Sequence, residues 1–148
     1  MIHGKVEIEC DEAPVSLELF DSIYTLEFLD EHCYEKISKN IVAKTEYNID
    51  EDGDIKVEIS VYKYKDLYFV TENGNIHGIS DDAKEALNFA EILHLALAGN
   101  EFERVMEMLS GNEEEKRLAL YEGKQAVERI KRIRNAYNML REQLATGT

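Results

Sequence analysis

Hydrophobic and polar residues alternate at the start of the chain. In segment 5–10, Val6, Ile8 and Cys10 fall on one side and glutamates on the other, and segment 15–20 alternates in the same way. A turn that contains a proline separates the two segments. Period-two spacing on both sides of such a turn predicts an antiparallel β-hairpin.

The pattern then changes to a helical period. Ser22 precedes a segment of mixed polarity and can cap a helix. The spacing of three and four positions between apolar residues predicts a helix over residues 22–39. These apolar residues are Ile23, Leu26, Leu29, Cys33 and Ile37.

Residues 41–79 alternate again and are rich in β-branched and aromatic side chains. This composition predicts three or four antiparallel strands. Asn73 and Gly74 give a strong hairpin signal, because both turn positions need a positive φ. The alternation from Ile55 to Val61 leaves one face polar, so we expect the sheet to be covered on one side only.

The rest of the chain has a helical pattern. Ser80 is expected to cap the next helix, which begins with acidic residues and which Gly99 is expected to end. A short helix is predicted over residues 101–110, with Phe102, Val105, Met106 and Leu109 facing inward. Asn112 can cap a long helix that runs to about Ala145.

Strands first and helices afterwards predict an α+β fold. Its order is an N-terminal β-hairpin, a helix, an antiparallel β-meander and a helical C-terminal half that ends in a long amphipathic helix. We expect an acidic α+β body over 1–112 and the long helix over 113–148, as parts of one domain.

The last helix contains an apolar seam with alternating spacing of four and three positions, typical of helices that pack against another helix. A helix of 33 residues is roughly 50 Å long, more than the roughly 35 Å of the remaining body. Either the helix breaks at Gly123 and folds back, or its bulky half pairs with a second chain; the length favours a homodimer. The seam consists of Ala119, Gly123, Ala126, Ile130, Ile133, Tyr137, Leu140 and Leu144, of which the last five are the predicted self-association residues.

The charge is unevenly distributed. The net charge is −14, yet residues 1–115 hold 9 Lys and Arg against 28 Asp and Glu, and residues 116–148 hold 8 against 3. An acidic body repels phosphate backbones and anionic lipid headgroups. Direct binding to nucleic acid or to a membrane is therefore disfavoured, and a protein partner with a basic surface is favoured.

Two surfaces are candidates for contacts. The basic residues beside the seam, such as Arg141, suit docking on an acidic surface of the same chain or of a second copy. A foreign acidic partner and contact of this patch with nucleic acid are the alternatives. Three tyrosines are expected on or near the outer face of the sheet beside lysines, an arrangement typical of contact surfaces. The acidic face consists of Glu85, Glu91, Glu101, Glu103 and Glu107, and the sheet-face tyrosines are Tyr62, Tyr64 and Tyr68.

The sequence predicts no catalytic residues, metal site or cofactor. The acidic turn around 50–54 resembles a calcium loop only loosely, because the twelfth place is Ile59 instead of glutamate. His94 lies in an apolar helix and is expected in the core. Two cysteines do not make a disulfide framework, so a reduced, cytoplasmic protein is expected. No apolar stretch reaches the roughly 18 residues of a membrane span.

These observations favour an acidic protein-interaction module that binds a basic protein surface. Its most specific form is an inhibitor or mimic that acts on a nucleic-acid-binding protein. One alternative is a small enzyme or ligand-binding protein with a site between sheet and helices. Another is a structural subunit of a larger assembly.

Overall fold

The structure is a computed structural model that describes residues 1–10, 13–19, 24–33, 36–48 and 56–146 of the 148-residue chain. Within these ranges the strands are β1 (Lys5–Ile8), β2 (Val15–Glu18), β3 (Tyr24–Thr25), β4 (Ile41–Asn48), β5 (Lys56–Tyr64), β6 (Leu67–Glu72) and β7 (Asn75–Ser80). The helices are α1 (Leu26–His32), α2 (Ala83–Leu109) and α3 (Glu113–Thr146), and a 3₁₀ turn covers Ile37–Lys39. The order of elements confirms the predicted α+β fold.

The chain divides into two compact units. The first unit is Met1–Ala90 and the second is Glu91–Thr148. The predicted arrangement of 1–112 and 113–148 within one domain stays a prediction.

The N-terminal hairpin is formed as expected. β1 pairs antiparallel with β2, so that Val6 lies opposite Leu17 and Ile8 opposite Val15. Ile8 and Leu17 are fully buried, because period-two alternation turns one side of both strands towards the core.

The first helix is shorter than predicted. Residues 24–25 are extended and pair with β7, so α1 begins only at Leu26. Its cap is Thr25, whose hydroxyl oxygen accepts a hydrogen bond from the backbone N–H of Phe28 at 3.1 Å. The helix ends at His32, and the 3₁₀ turn brings Ile37 into the core. The prediction of one helix over 22–39 is therefore wrong, and Ser22 itself lies outside the described residues.

The main sheet has the strand order β3-β7-β6-β5-β4, and each neighbouring pair is antiparallel. β4 to β7 form the predicted meander. Asn73 and Gly74 connect β6 to β7 with φ values of 49° and 83°, which confirms the turn. The predicted acidic turn 50–54 lies outside the described residues.

Both faces of the sheet carry buried residues. Phe69 and Ile79 lie opposite each other on one face and belong to the core that includes the β1–β2 hairpin and α1. Val61 and Val70 lie opposite each other on the other face and are also buried. On that second face a Cβ atom added to Gly78 would lie 3.1 Å from the Phe89 ring of α2. The prediction of a sheet covered on one side only is wrong. Aromatic side chains such as Phe69 make the positions that alternate with Val61 and Val70 apolar as well.

One helix replaces the two predicted before residue 110. α2 runs through Gly99 without a break, at a cost of about 1 kcal/mol relative to alanine. The prediction that Gly99 ends a helix is wrong. Asp82 rather than Ser80 caps α2, since its carboxylate accepts a hydrogen bond from the backbone N–H of Lys84 at 3.1 Å.

α3 is continuous, and its predicted cap is confirmed. The side-chain oxygen of Asn112 accepts a hydrogen bond from the backbone N–H of Glu115 at 2.9 Å. A Cβ atom added to Gly123 would lie 3.6 Å from a methyl group of Val105. Gly123 is therefore a point of contact with α2 and not a helix break.

Cys10 and Cys33 form a disulfide that joins the segment just after β1 to the residue that follows α1. Both cysteines are buried, as their place in the apolar pattern predicts. The expectation of unpaired, reduced cysteines is wrong. Disulfides persist mainly in oxidising compartments. The cytoplasmic location, which rested on that expectation, stays a prediction.

Candidate functional site

In the second unit α2 and α3 pack as an antiparallel pair of helices. The His94 ring meets the Tyr137 ring edge-on, with 6.2 Å between ring centroids. The Arg141 guanidinium lies 2.5 Å from the Glu91 carboxylate, and both side chains are more than four-fifths buried. Basic and acidic residues of the two helices therefore meet within one chain, as the predicted docking of the basic stretch on its own acidic surface requires.

The seam of α3 is largely covered within the single chain. α3 packs against the segment of α2 in the second unit without a break, so the predicted fold-back through a break at Gly123 is wrong. The homodimer was favoured because α3 is longer than a globule formed by the remaining residues would be wide. Self-association through Ile130, Ile133, Tyr137, Leu140 and Leu144 stays a prediction. Ala119, Ala126, Ile133 and Tyr137 are buried, and Gly123, Ile130, Leu140 and Leu144 are half-buried.

The predicted acidic face is partly engaged in contacts of its own chain. Glu91 pairs with Arg141, and Glu85 pairs with the N-terminal amine and accepts a hydrogen bond from the Ser80 hydroxyl. Glu103 and Glu107 are exposed. The side chain of Glu101 lies outside the described residues. Binding of a partner by this face stays a prediction.

Almost all of the net charge belongs to the first unit. Residues 1–90 hold 8 Lys and Arg against 21 Asp and Glu, a net charge of −13. Residues 91–148 hold 9 against 10, a net charge of −1. The excess of acidic residues therefore lies in the first unit.

Lysines of the first unit already pair with carboxylates. The amine of Lys65 lies 3.7 Å from the carboxylate of Glu9. Lys44 lies 2.5 Å from Glu58, whose hydrogen bond and negative charge raise the pKa of the lysine. Acidic side chains beyond these pairs give the unit its excess charge. Glu7, Glu27, Glu31, Asp66 and Asp81 are exposed carboxylates of this kind.

The three sheet tyrosines differ in position. Tyr64 is only 2% exposed, and its hydroxyl donates a hydrogen bond to the backbone oxygen of Glu9 at 2.9 Å. It is therefore a core residue, contrary to the expected outer position. Tyr62 is half-buried against the core. Tyr68 is half-buried with the Lys63 amine 5.7 Å from its ring centroid. Partner contact by Tyr62 and Tyr68 stays a prediction.

His94 is buried between the helices of the second unit, where the sequence placed it. Burial lowers the pKa of its imidazole, because the charged form loses hydration. The neutral ring beside Tyr137 is therefore the form that the folded unit favours.

A small cavity in the first unit has His3, His77, Gly78 and Phe89 among its lining residues. Its volume is about 140 Å³, below the roughly 300–1,000 Å³ of typical ligand sites. His77 pairs with Glu72 at 2.9 Å. Among the described residues no group of three His, Cys, Asp or Glu side chains could hold a metal ion. None of the helices within the described ranges is long and apolar enough to span a membrane.

Eight large apolar side chains among the described residues of the second unit are exposed. Met106 and Leu109 are two of them, so the prediction that both face inward is wrong. We name Met106, Leu120 and Val127 the exposed apolar row; their exposed fractions are 65%, 65% and 42%. The separation of seven residues between Leu120 and Val127, two helical turns, is the signal that could have found them.

No protein-family model, curated protein or solved structure matches this chain. The charges and surfaces of the described residues therefore carry the functional proposal alone.

Proposed function

We propose that the protein is an acidic interaction module that binds a basic surface of another protein. The observation that supports this proposal is the net charge of −13 in the first unit, where Lys44 and Lys65 already pair with carboxylates. An unbalanced excess of one sign steers a partner of the opposite sign and speeds its association.

The proposed partner contact lies on exposed carboxylates of the first unit. Glu85 and Glu91 of the predicted face are engaged by the N-terminal amine and by Arg141. The first unit offers exposed carboxylates outside those contacts, among them Glu7, Glu31 and Asp66. Such side chains can meet lysine and arginine of a partner while the fold of the module stays unchanged.

In its most specific form, the proposal makes the protein an inhibitor of a nucleic-acid-binding protein. A carboxylate surface attracts the same lysines and arginines that neutralise phosphates. An acidic protein bound there excludes nucleic acid from the basic surface. The same charge opposes direct binding of this chain to nucleic acid or to anionic membranes.

The test begins with capture of a partner from a native lysate and measurement of its purified complex. We expect affinity to fall steeply with salt, because screening shortens the Debye length from about 8 Å at 0.15 M to about 3 Å at 1 M. Combining Glu7→Gln, Glu31→Gln and Asp66→Asn should slow association. The matched control combines Glu113→Gln, Glu114→Gln and Glu128→Gln, which changes the total charge equally but lies in the second unit.

Three results would oppose the proposal. One is an affinity that is indifferent to ionic strength, and a second is equal slowing by both triple variants. The third is a stoichiometric small molecule in place of a protein partner, which would support the ligand-binding alternative. For the inhibitor form, the module must also displace nucleic acid from the captured partner in a competition assay.

A further inference from the structure

The exposed apolar row lies on one face of the helix pair in the second unit. On α3 Val127 follows the buried Ala126 by one residue, and on α2 Met106 follows the buried Val105 by one residue. One residue turns an α-helix by about 100°, so the row lies beside the contact line on both helices. Because the helices are antiparallel, the residue that follows a contact residue points to the same side of the pair on both helices.

The heights of the residues along this pair are fixed by observed contacts. His94 lies beside Tyr137, and Val105 lies beside Gly123. Met106 is therefore close to the level of residue 123, midway between Leu120 and Val127. The three exposed side chains form a compact apolar group at this end of the unit.

Charged side chains of opposite sign flank the row on its two helices. Glu103 and Glu107 lie next to the row on the outer side of α2. Lys124 and Lys131 lie next to it on the outer side of α3. All four side chains are exposed. The face is thus apolar in the middle, with two glutamates along one outer edge and two lysines along the other, where Lys131 also pairs with Glu128 at 3.8 Å.

We propose that the exposed apolar row is the interface between two copies of this chain. α2 of each copy packs on α3 of the other, and the four helices form an antiparallel bundle. This dimer goes beyond the proposed partner binding, which uses the first unit. It also differs from the seam dimer predicted from the sequence, because the seam is already largely covered within one chain.

The fit of a second copy follows from symmetry. A two-fold axis parallel to the helices keeps each residue at its own height and places α2 opposite α3 of the second copy. Met106 then inserts between Leu120 and Val127 of the second copy. The second copy's Met106 does the same in return, so that each contact occurs twice.

The charges favour this arrangement over its competitor. With α2 on α3, Lys124 of the second copy lies at a height between Glu103 and Glu107, and Lys131 lies about five residues beyond Glu103 along the same edge. The other two-fold arrangement packs α2 on α2, which would set the glutamates of the two copies against each other. Like charges across an interface suppress the wrong pairing.

The test measures the mass of the full chain by sedimentation over a range of concentrations. We expect the wild type to form a particle of twice 17.1 kDa. The double variant Met106→Gln and Leu120→Gln should raise the dimer dissociation constant by about tenfold or more. Its circular dichroism should stay unchanged, because both side chains are already exposed in the single chain. Met139→Gln is the matched control, since Met139 is 61% exposed but outside the row.

Charge reversal tests the arrangement of the helices. Glu103→Lys with Glu107→Lys should weaken the dimer, and adding Lys124→Glu with Lys131→Glu should restore it. Unchanged affinity after the first reversal would refute packing of α2 on α3. A wild type that remains at 17.1 kDa at every concentration, or a folded glutamine double variant that dimerises as well as the wild type, would overturn the proposal. Each of these results is independent of whether a basic partner binds the first unit.

Discussion

Replacing Ile133 by alanine tests how α3 is held in the second unit. Ile133 is 7% exposed and lies on the same side of α3 as Tyr137, which is 1% exposed. The substitution removes three carbon atoms from this packed side and leaves every charge of the chain in place. Its effect therefore measures the contribution of apolar packing at the seam.

The expected loss follows from the size of the deletion. Three buried carbon groups at about 0.8 kcal/mol each contribute about 2.4 kcal/mol of transfer free energy. The remaining cavity adds to this loss, and measured Ile-to-Ala changes in cores cost about 2–5 kcal/mol. Alanine regains about 0.4 kcal/mol of helix propensity. We expect a net loss of about 2.5–3 kcal/mol in the free energy of unfolding.

Urea unfolding followed by circular dichroism gives the value. At a slope of about 2 kcal/mol/M, the midpoint should fall by about 1.3–1.5 M while the slope itself stays constant. The matched control is Met139→Ala on the same helix. Met139 is 61% exposed, so its change should stay within about 0.5 kcal/mol.

An Ile133→Ala variant that loses no more stability than Met139→Ala would refute the packing of the seam within the chain. A change in slope for Ile133→Ala would show that the two units unfold separately. The urea midpoint of the transition that belongs to the second unit would then be compared between the variant and the wild type.

Three more predictions concern His94, the Arg141–Glu91 pair and the disulfide. Burial lowers the pKa of His94 below 6.5, so as the pH falls the imidazole is protonated more readily in the unfolded state than in the folded state. The free energy of unfolding should therefore fall as the pH drops from about 7 to about 5. His94→Leu should make the free energy of unfolding less dependent on pH over this range. Arg141→Ala leaves the mostly buried Glu91 carboxylate without its cation and should cost about 1–3 kcal/mol. A double variant with Glu91→Gln should lose less than the sum of the single losses. In urea without reductant, neither Cys10 nor Cys33 should react with a thiol reagent, and mass spectrometry after alkylation would reveal a free thiol.

Local periodicity predicted the elements whose packing is also local. Val6 and Ile8 alternate, and both are buried in the hairpin. Asn73 and Gly74 adopt the positive φ values that their turn requires. Asn112 caps α3 at the predicted place. In each case the signal and the interaction lie within a few residues of each other.

The predictions fail where contacts with a distant segment of the chain determine the local structure. β7 pairs with residues 24–25 and so delays the start of α1. Cys33 lies 23 residues from Cys10, a separation that no periodic pattern reveals. Gly99 was expected to end a helix on propensity alone, but a cost of about 1 kcal/mol is small beside the packing of a long helix. Secondary structure at these positions follows from contacts that only the folded chain supplies.

The basic stretch of α3 shows how far a charge pattern can be interpreted. The sequence predicted that basic side chains beside the seam would meet acidic residues, and Arg141 does lie against Glu91. It could not predict which exposed charges would flank an apolar surface, because that requires the side of α2 that packs on α3. Once the His94–Tyr137 and Val105–Gly123 contacts fix this side, Met106 and Val127 fall on a common face. A helix that looked amphipathic about one seam then has a second apolar side, and the unpaired second side is the reason to expect another copy.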